Sequence, residues 1–263
     1  MDKNISIGAL ISGSGTNLQA IIDSCETGKI NGKLAFVGSD NPDAKGLERA
    51  RRHEIPTFVV DYSSIIKQFG TKTDKAMLPD DFNFDELFSK QAIMLENATI
   101  TKTEIFIMTR ALAEKELLDK MKPYPFDLLV LAGFMRNLTP YFIDRINTDP
   151  DHPCIMNIHP ALLPAFPGTN GYGDTFQYGC KVGGCSVHFI DYGEDTGPII
   201  GQKVFQIEND DTLDTIKKKG LALEWELYPE CINLFAENRL KIARGSNILK
   251  NGKKRQRTIV KIL

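Results

Sequence analysis

The chain has no C-x-x-C pair among its five cysteines, no long apolar run, and a net charge of only −2 over 263 residues. Each lack excludes something. Without closely spaced cysteine pairs, neither a zinc ribbon nor a dithiol redox motif is indicated. Cys180 and Cys185 are the one near pair; with Cys25, Cys154 and Cys231 they read as free thiols of a reducing compartment. No stretch approaches the ~18 apolar residues that a membrane span needs. The opening Met1-Asp2-Lys3-Asn4 leads into a strand with no signal-peptide core, so a cytoplasmic protein without a membrane partner is expected. The near-balanced charge gives no reason to expect nucleic acid as a partner of the whole chain. Histidine is scarce too. The four present, His53, His152, His159 and His188, are scattered and suggest no metal. One stretch departs from this balance: Lys250, Lys253, Lys254, Arg255, Arg257 and Lys261 stand with no acid among them, and read as a solvated, partly disordered end.

What is present is an alternation. Ile5 to Ile11 is a short apolar run with the character of a buried parallel strand. After Ser12-Gly13-Ser14-Gly15-Thr16-Asn17, the spacing of Leu18, Ile21 and Ile22 predicts a helix ending near Gly28. Strands are expected at Leu34 to Val37 and Thr57 to Val60, around a helix from Gly46 to His53. This β-α-β-α-β rhythm specifies α/β architecture: an open, mostly parallel twisted sheet with helices on both faces. It then stalls. From Tyr62 to Thr103 there are helical pieces (Ser63–Phe69, Phe84–Asn97) and no obvious strand, which reads as a helical insertion. A helix to Met121, a strand at Phe126 to Ala132 and a helix from Pro140 to Ile146 lead to Ile155–His159. Beyond it, Cys185 to Ile190, Pro198 to Gly201 and Lys203 to Ile207 suggest short antiparallel strands. Thr212 to Phe235 is one long helix, with a kink or break expected at Pro229.

Three stretches have the makings of chemistry. In Ile155-Met156-Asn157-Ile158-His159-Pro160, Met156 and Ile158 point one way along the strand, while Asn157 and His159 point the other. Pro160 ends the strand there, leaving an amide and an imidazole at its carboxyl end. That is where an open α/β sheet carries its site, although the same pair could merely cap the strand. The loop Ser12-Gly13-Ser14-Gly15-Thr16-Asn17 opens a helix, so the amides of Gly15, Thr16 and Asn17 make a ready phosphate site or an ordinary cap. Leu18 stands where a dinucleotide fingerprint needs its third glycine, and no Gly-Lys-Ser/Thr follows, so a single phosphate suits it better. In Gly193-Glu194-Asp195-Thr196-Gly197-Pro198, a carboxylate on a glycine-flanked turn could meet His159 and act on its charge, or be a bare turn residue. His188 alternates with Ser186 on its strand and reads as a packed structural imidazole.

In this order and spacing, Ile11–Gln19, Gly46–Arg51, Val130–Leu138, Met156–Gly168 and Ser186–Pro198 resemble the folate-dependent phosphoribosylglycinamide formyltransferases. The resemblance runs from Ile5 to about Leu240. It implies a formyltransferase, Rossmann-like domain over 1–240, with the helical insertion at about 62–103 and a basic C-terminal extension over 241–263. It implies transfer of a formyl group from 10-formyltetrahydrofolate, as co-substrate and without a metal, to the amine of glycinamide ribonucleotide in purine biosynthesis. Asn157, His159 and Asp195 would be catalytic. Gly15, Thr16 and Asn17 would hold the ribose phosphate, and Glu224 the glycinamide end. Met135, Arg136, Asn137 and Leu138 would line the formylfolate pocket together with Asn157, Ile190 and Asp191, and Arg110 would be the folate-contacting arginine. Small-molecule partners follow, with a homodimer compatible.

Two departures stand out: Thr169 to Phe176, read as a loop, lacks the histidine-bearing segment usual there, and Leu221 replaces a polar residue. Formyltetrahydrofolate deformylase is the nearest rival reading, but it carries a regulatory domain ahead of the catalytic one. A methionyl-tRNA formyltransferase would need a C-terminal barrel that about 25 residues cannot build. A non-catalytic nucleotide-binding module would need no acid–base set.

Overall fold

The computed structural model describes residues 4–70, 75–93, 99–248 and 254–263. The sheet follows the apolar runs. Strands β1 (Ile5–Ile11), β2 (Gly32–Ser39), β3 (Thr57–Val59), β4 (Leu128–Leu131) and β5 (Ile155–His159) are joined by β6 (Val182–Phe189) and β7 (Ile199–Gln206) in the order β3-β2-β1-β4-β5-β6-β7. β1 to β5 are parallel, β6 runs antiparallel to β5, and β7 antiparallel to β6. The period of two along each strand divides the core. Ile7, Ala9, Ile11, Val130, Met156 and Ile158 face one side, where α1 (Thr16–Glu26), α2 (Gly46–Arg52) and α8 (Leu213–Ala236) bury Leu18, Ile21, Leu47, Leu227 and Ile232. Leu10, Phe36, Leu129, Leu131 and Ile155 face the other, against α3 (Tyr62–Phe69), α5 (Ile100–Met121) and α6 (Pro140–Ile146) through Tyr62, Ala113, Leu117 and Phe142.

β1 lies between β2 and β4, so successive crossovers leave it in opposite directions and a crevice opens at the strands' carboxyl ends. Between β3 and β4 the described residues hold α3, a 3₁₀ turn (Lys75–Met77), α4 (Phe84–Lys90) and α5, with no strand among them. The helix expected over Phe84–Asn97 stops at Lys90, where Gln91 turns extended at ψ 135°; residues 94–97 lie outside the described residues, as do Lys250 and Lys253.

Four further expectations are corrected. Pro198 to Gly201 and Lys203 to Ile207 are one strand, β7. Gly201 is not a turn but a close approach: a Cβ there would sit 3.0 Å from Cys231 Sγ on α8. The segment after Gly168, expected as a loop, contains α7 (Gly171–Gln177), whose glycines hid the helix although Tyr172 and Thr175 are buried in it. α8 passes through Pro229 without a break. Burial of Tyr228, Cys231 and Ile232 around it holds the helix together, and Trp225, whose carbonyl loses its usual donor, is exposed to solvent. The basic end is not a loose tail. β8 (Leu240–Ile248) and β9 (Lys254–Ile262) pair antiparallel, and Leu240, Ile242 and Val260 pack on the main core. All five cysteines are free thiols, Cys185 and Cys231 buried.

Candidate active site

The crevice is a cavity of about 360 Å³. Its apolar wall is Leu131, Phe134, Met135, Leu138 and Ile190; its polar end gathers Asn17, Asn157, His159, Asp195, Lys217 and Glu224.

At the carboxyl end of β5 the alternation places Asn157 and His159 on the cavity side. His159 is buried, with Nδ1 3.2 Å from Asp195 Oδ2 and Nε2 2.8 Å from the Phe166 carbonyl oxygen. The Asp195 carboxylate and the Phe166 carbonyl both present acceptor oxygens to the ring and together fix its orientation. Asp195 stands at the tip of the 193–197 turn with φ 52°, a left-handed conformation that aspartate tolerates. Its Oδ2 accepts the Gly168 N–H at 2.8 Å. Burial by itself would raise this carboxyl. Hydrogen bonding by His188, the charge of His159 and the Gly168 amide outweigh that, and hold it below the usual carboxylate range.

His188 is the residue the sequence reading undervalued. Antiparallel pairing sets it opposite Asn157 across β5 and β6. Its Nε2 lies 3.2 Å from Asn157 Nδ2 and 3.5 Å from Asp195 Oδ1, while Nδ1 donates to the Phe189 carbonyl at 2.9 Å. Nε2 thus stands between the Asn157 amide and the Asp195 carboxylate and fixes where both side chains sit. Only the pairing of β5 with β6 could have revealed this.

The glycine loop behaves as its composition requires. Gly15 has φ 70°, and a Cβ on it would lie 2.6 Å from Gly46 Cα, so the loop seats against the start of α2 only with glycine there. Arg49 Nε donates to the Ser14 carbonyl at 2.9 Å and pins it. The first amides of α1 have no acceptor within the helix. Asn17 lines the cavity; Gly15 and Thr16 do not border it directly. Asn17 Nδ2 donates to Glu224 Oε2 at 2.6 Å, and the Tyr172 hydroxyl donates to Glu224 Oε1 at 2.6 Å. Burial raises the Glu224 carboxyl, and these two donors oppose the rise.

Met135, Arg136, Asn137 and Leu138 line the opposite wall with Ile190 and Asp191. Asn137 Nδ2 donates to Glu194 Oε1 at 3.1 Å, tying the two wall loops together. The Ala92 N–H donates to the Tyr192 carbonyl at 2.9 Å, so the segment after α4 touches the loop that carries Asp195. Arg110 is a correction: it does not reach the cavity. Its face of α5 turns toward Tyr62 and Phe106, whose ring centroids lie 5.6 and 5.1 Å from its guanidinium carbon, and it stacks there instead. Tyr172, His188 and Lys217 are the site residues that sequence reasoning passed over.

A switch-point cavity with an amide donor, an imidazole–carboxylate pair and a helix N-terminus at one end defines a group-transfer enzyme of the α/β class. The family model for formyl transferases matches residues 5–232. A phosphoribosylglycinamide formyltransferase of Escherichia coli (strain K12) is 34% identical over 238 residues, 90% of each chain. One from Bacillus subtilis (strain 168) is 31% identical over 221 residues, 84% of this chain and 89% of that one. A solved glycinamide ribonucleotide transformylase 1 from Symbiobacterium toebii superposes with TM-score 0.68 at 35% identity, covering 99% of this chain and 94% of its own. The chain belongs to the formyl transferase family, in its phosphoribosylglycinamide formyltransferase branch.

Proposed function

We propose that this chain transfers the formyl group of 10-formyltetrahydrofolate to the amine of glycinamide ribonucleotide, with Asn157, His159 and Asp195 at the reacting centre. The observation that carries the residue roles is the His159–Asp195 contact of 3.2 Å, made inside a cavity that also holds Asn157. As the amine attacks the formyl carbon, negative charge builds on the carbonyl oxygen. The Asn157 amide donates to it, and the His159 imidazole does so once the substrate oxygen takes the place of one of the ring's present acceptors, Asp195 or the Phe166 carbonyl. Asp195 faces His159 Nδ1 across 3.2 Å and orients the ring. Directly or through a water, it takes the proton lost by the new C–N bond's nitrogen and passes it to the folate nitrogen as the old C–N bond breaks.

The apolar wall around Phe134, Leu138 and Ile190 suits a flat bicyclic ring, with Met135 to Asn137 and Asp191 at its edges. The amides at Gly15, Thr16 and Asn17 take the phosphate, Lys217 on the cavity rim supplies a countercharge, and Glu224 meets the donor-bearing end of the ribonucleotide. Residues 1–240 carry the transferase chemistry, and the β8–β9 pair that follows packs on the same core. Small molecules are the partners in this reading, with neither nucleic acid nor membrane, in a cytoplasmic setting.

The test is to incubate the protein with 10-formyltetrahydrofolate, with and without glycinamide ribonucleotide, and follow folate release. Release only with the amine is expected. Release without it would mean a deformylase, and no release in either case would mean a non-catalytic binder.

A further inference from the structure

Glu224 is only 5% exposed, and each of its oxygens is held by a 2.6 Å hydrogen bond from a different element: Asn17 of α1 and Tyr172 of α7. Tyr172 reaches it through a gap in α8. A Cβ at Gly220 would lie 2.1 Å from Tyr172 Cζ and 2.3 Å from its hydroxyl oxygen, so the ring occupies space that only glycine leaves open. Gly220 and Glu224 are one helical turn apart, so the slot and the carboxylate share a face of α8. The Asn17 amide, with Nδ2 turned to Glu224, leaves Oδ1 buried and without a partner.

We propose that Tyr172, seated in the slot left by Gly220, is a positioning residue that fixes the Glu224 carboxylate to receive hydrogen-bond donors of the ribonucleotide substrate. The proposal rests on the functional reading above and adds to it a residue that the chemistry does not touch. With one lone-pair direction on each oxygen taken by protein, the remaining acceptors of Glu224 and the free Asn17 Oδ1 make an acceptor-only corner. Such a corner takes hydroxyl or amine donors and repels phosphate oxygens.

The Tyr172 hydroxyl also bears on the charge of Glu224. Burial drives that carboxyl toward its neutral form, and the donors from Asn17 and Tyr172 are what oppose it. The other groups near it are Cys185 on β6, whose thiol burial and Glu224 push up to about 12, and Lys217 on the cavity rim. Neither donates to it.

The experiment is steady-state kinetics of wild type and Tyr172→Phe with each substrate varied, across pH. Tyr172→Phe keeps the ring in its slot and removes only the donor. KM for the ribonucleotide is expected to rise about 10-fold, with kcat and the formylfolate KM within about two-fold, because a hydrogen bond to a charged group is worth about a factor of ten or more. The acid limb of the ribonucleotide KM profile should move to higher pH, since Glu224 then protonates more readily. Gly220→Ala should raise the same KM by at least as much by displacing the ring, and should add nothing in a Tyr172→Ala background. An unchanged ribonucleotide KM and acid limb in Tyr172→Phe, with wild type turning over normally, would overturn the proposal alone. Wild type that fails to turn over would overturn the functional reading and this one with it.

Discussion

At the residue scale, the site is a set of donors whose orientation is fixed by the groups behind them. Asn157 is turned by His188 at 3.2 Å, and His159 is held between Asp195 and the Phe166 carbonyl. Removing one donor to a developing oxyanion costs ~10²–10³ in rate. Asn157→Ala and His159→Ala should each lose that much kcat while binding glycinamide ribonucleotide as wild type does, which calorimetry with the ribonucleotide alone will read. Asp195 makes a prediction about pH. Its folded value is lowered, so its contribution to stability is complete above the unfolded carboxylate value and is lost as pH falls through the lowered one. Asp195→Asn should therefore be less stable than wild type at neutral pH. The gap should close as the solution is acidified below about pH 4, the usual carboxylate value. A gap that widened toward acid would contradict the lowered Asp195 carboxyl.

At the scale of elements, helix ends do much of the positioning. Glu114 of α5 accepts the Thr139 N–H at 2.7 Å and the Thr139 hydroxyl at 2.5 Å, and Thr139 caps α6. The carboxyl is fully buried, and burial pushes it up to about 8 against those hydrogen bonds and the charge of Arg110. A folded value above the unfolded one means that the stability Glu114 contributes is present in acid and lost as pH rises toward 8. Glu114→Gln keeps an acceptor for the Thr139 amide without a charge to bury. It should match or exceed wild type in urea unfolding near pH 8, and lose that advantage near pH 5. The long helix α8 shows the same economy of position. Lys217, Gly220, Leu221 and Glu224 fall on the one stripe that faces the cavity and α7, while Trp225 faces solvent.

At the scale of the molecule, the β8–β9 hairpin is part of the main body and not an appendage. Leu240, Ile242 and Val260 pack partly buried on the core, with β9 beside β7. Deleting residues 254–263 would return that apolar surface to water at a cost on the order of 3 kcal/mol. For a chain of this size the melting temperature should fall by roughly 5–10 °C, while kcat at 25 °C stays near wild type, because no described residue of β8 or β9 borders the cavity. An unchanged melting temperature would show the hairpin to be energetically idle.

The sequence determined by itself whatever depends on periods and spacing along the chain. The apolar runs of β1, β4 and β5, the glycine-opened α1 and the pairing of Asn157 with His159 on one face are local consequences of a repeat of two or 3.6 and of glycine's freedom at Gly15. The cavity's list of walls was legible too, but through resemblance and not through spacing. What only the tertiary structure decided are the contacts between residues far apart in the chain. His188 joins the site because β6 pairs antiparallel with β5. Tyr172 meets Glu224 because α7 crosses α8 at a glycine, and Arg110 leaves the pocket because two aromatic faces hold its guanidinium. Local periodicity reports which face of an element is buried, but not what it is buried against, since strand register and helix crossing are set by the packing of the whole core.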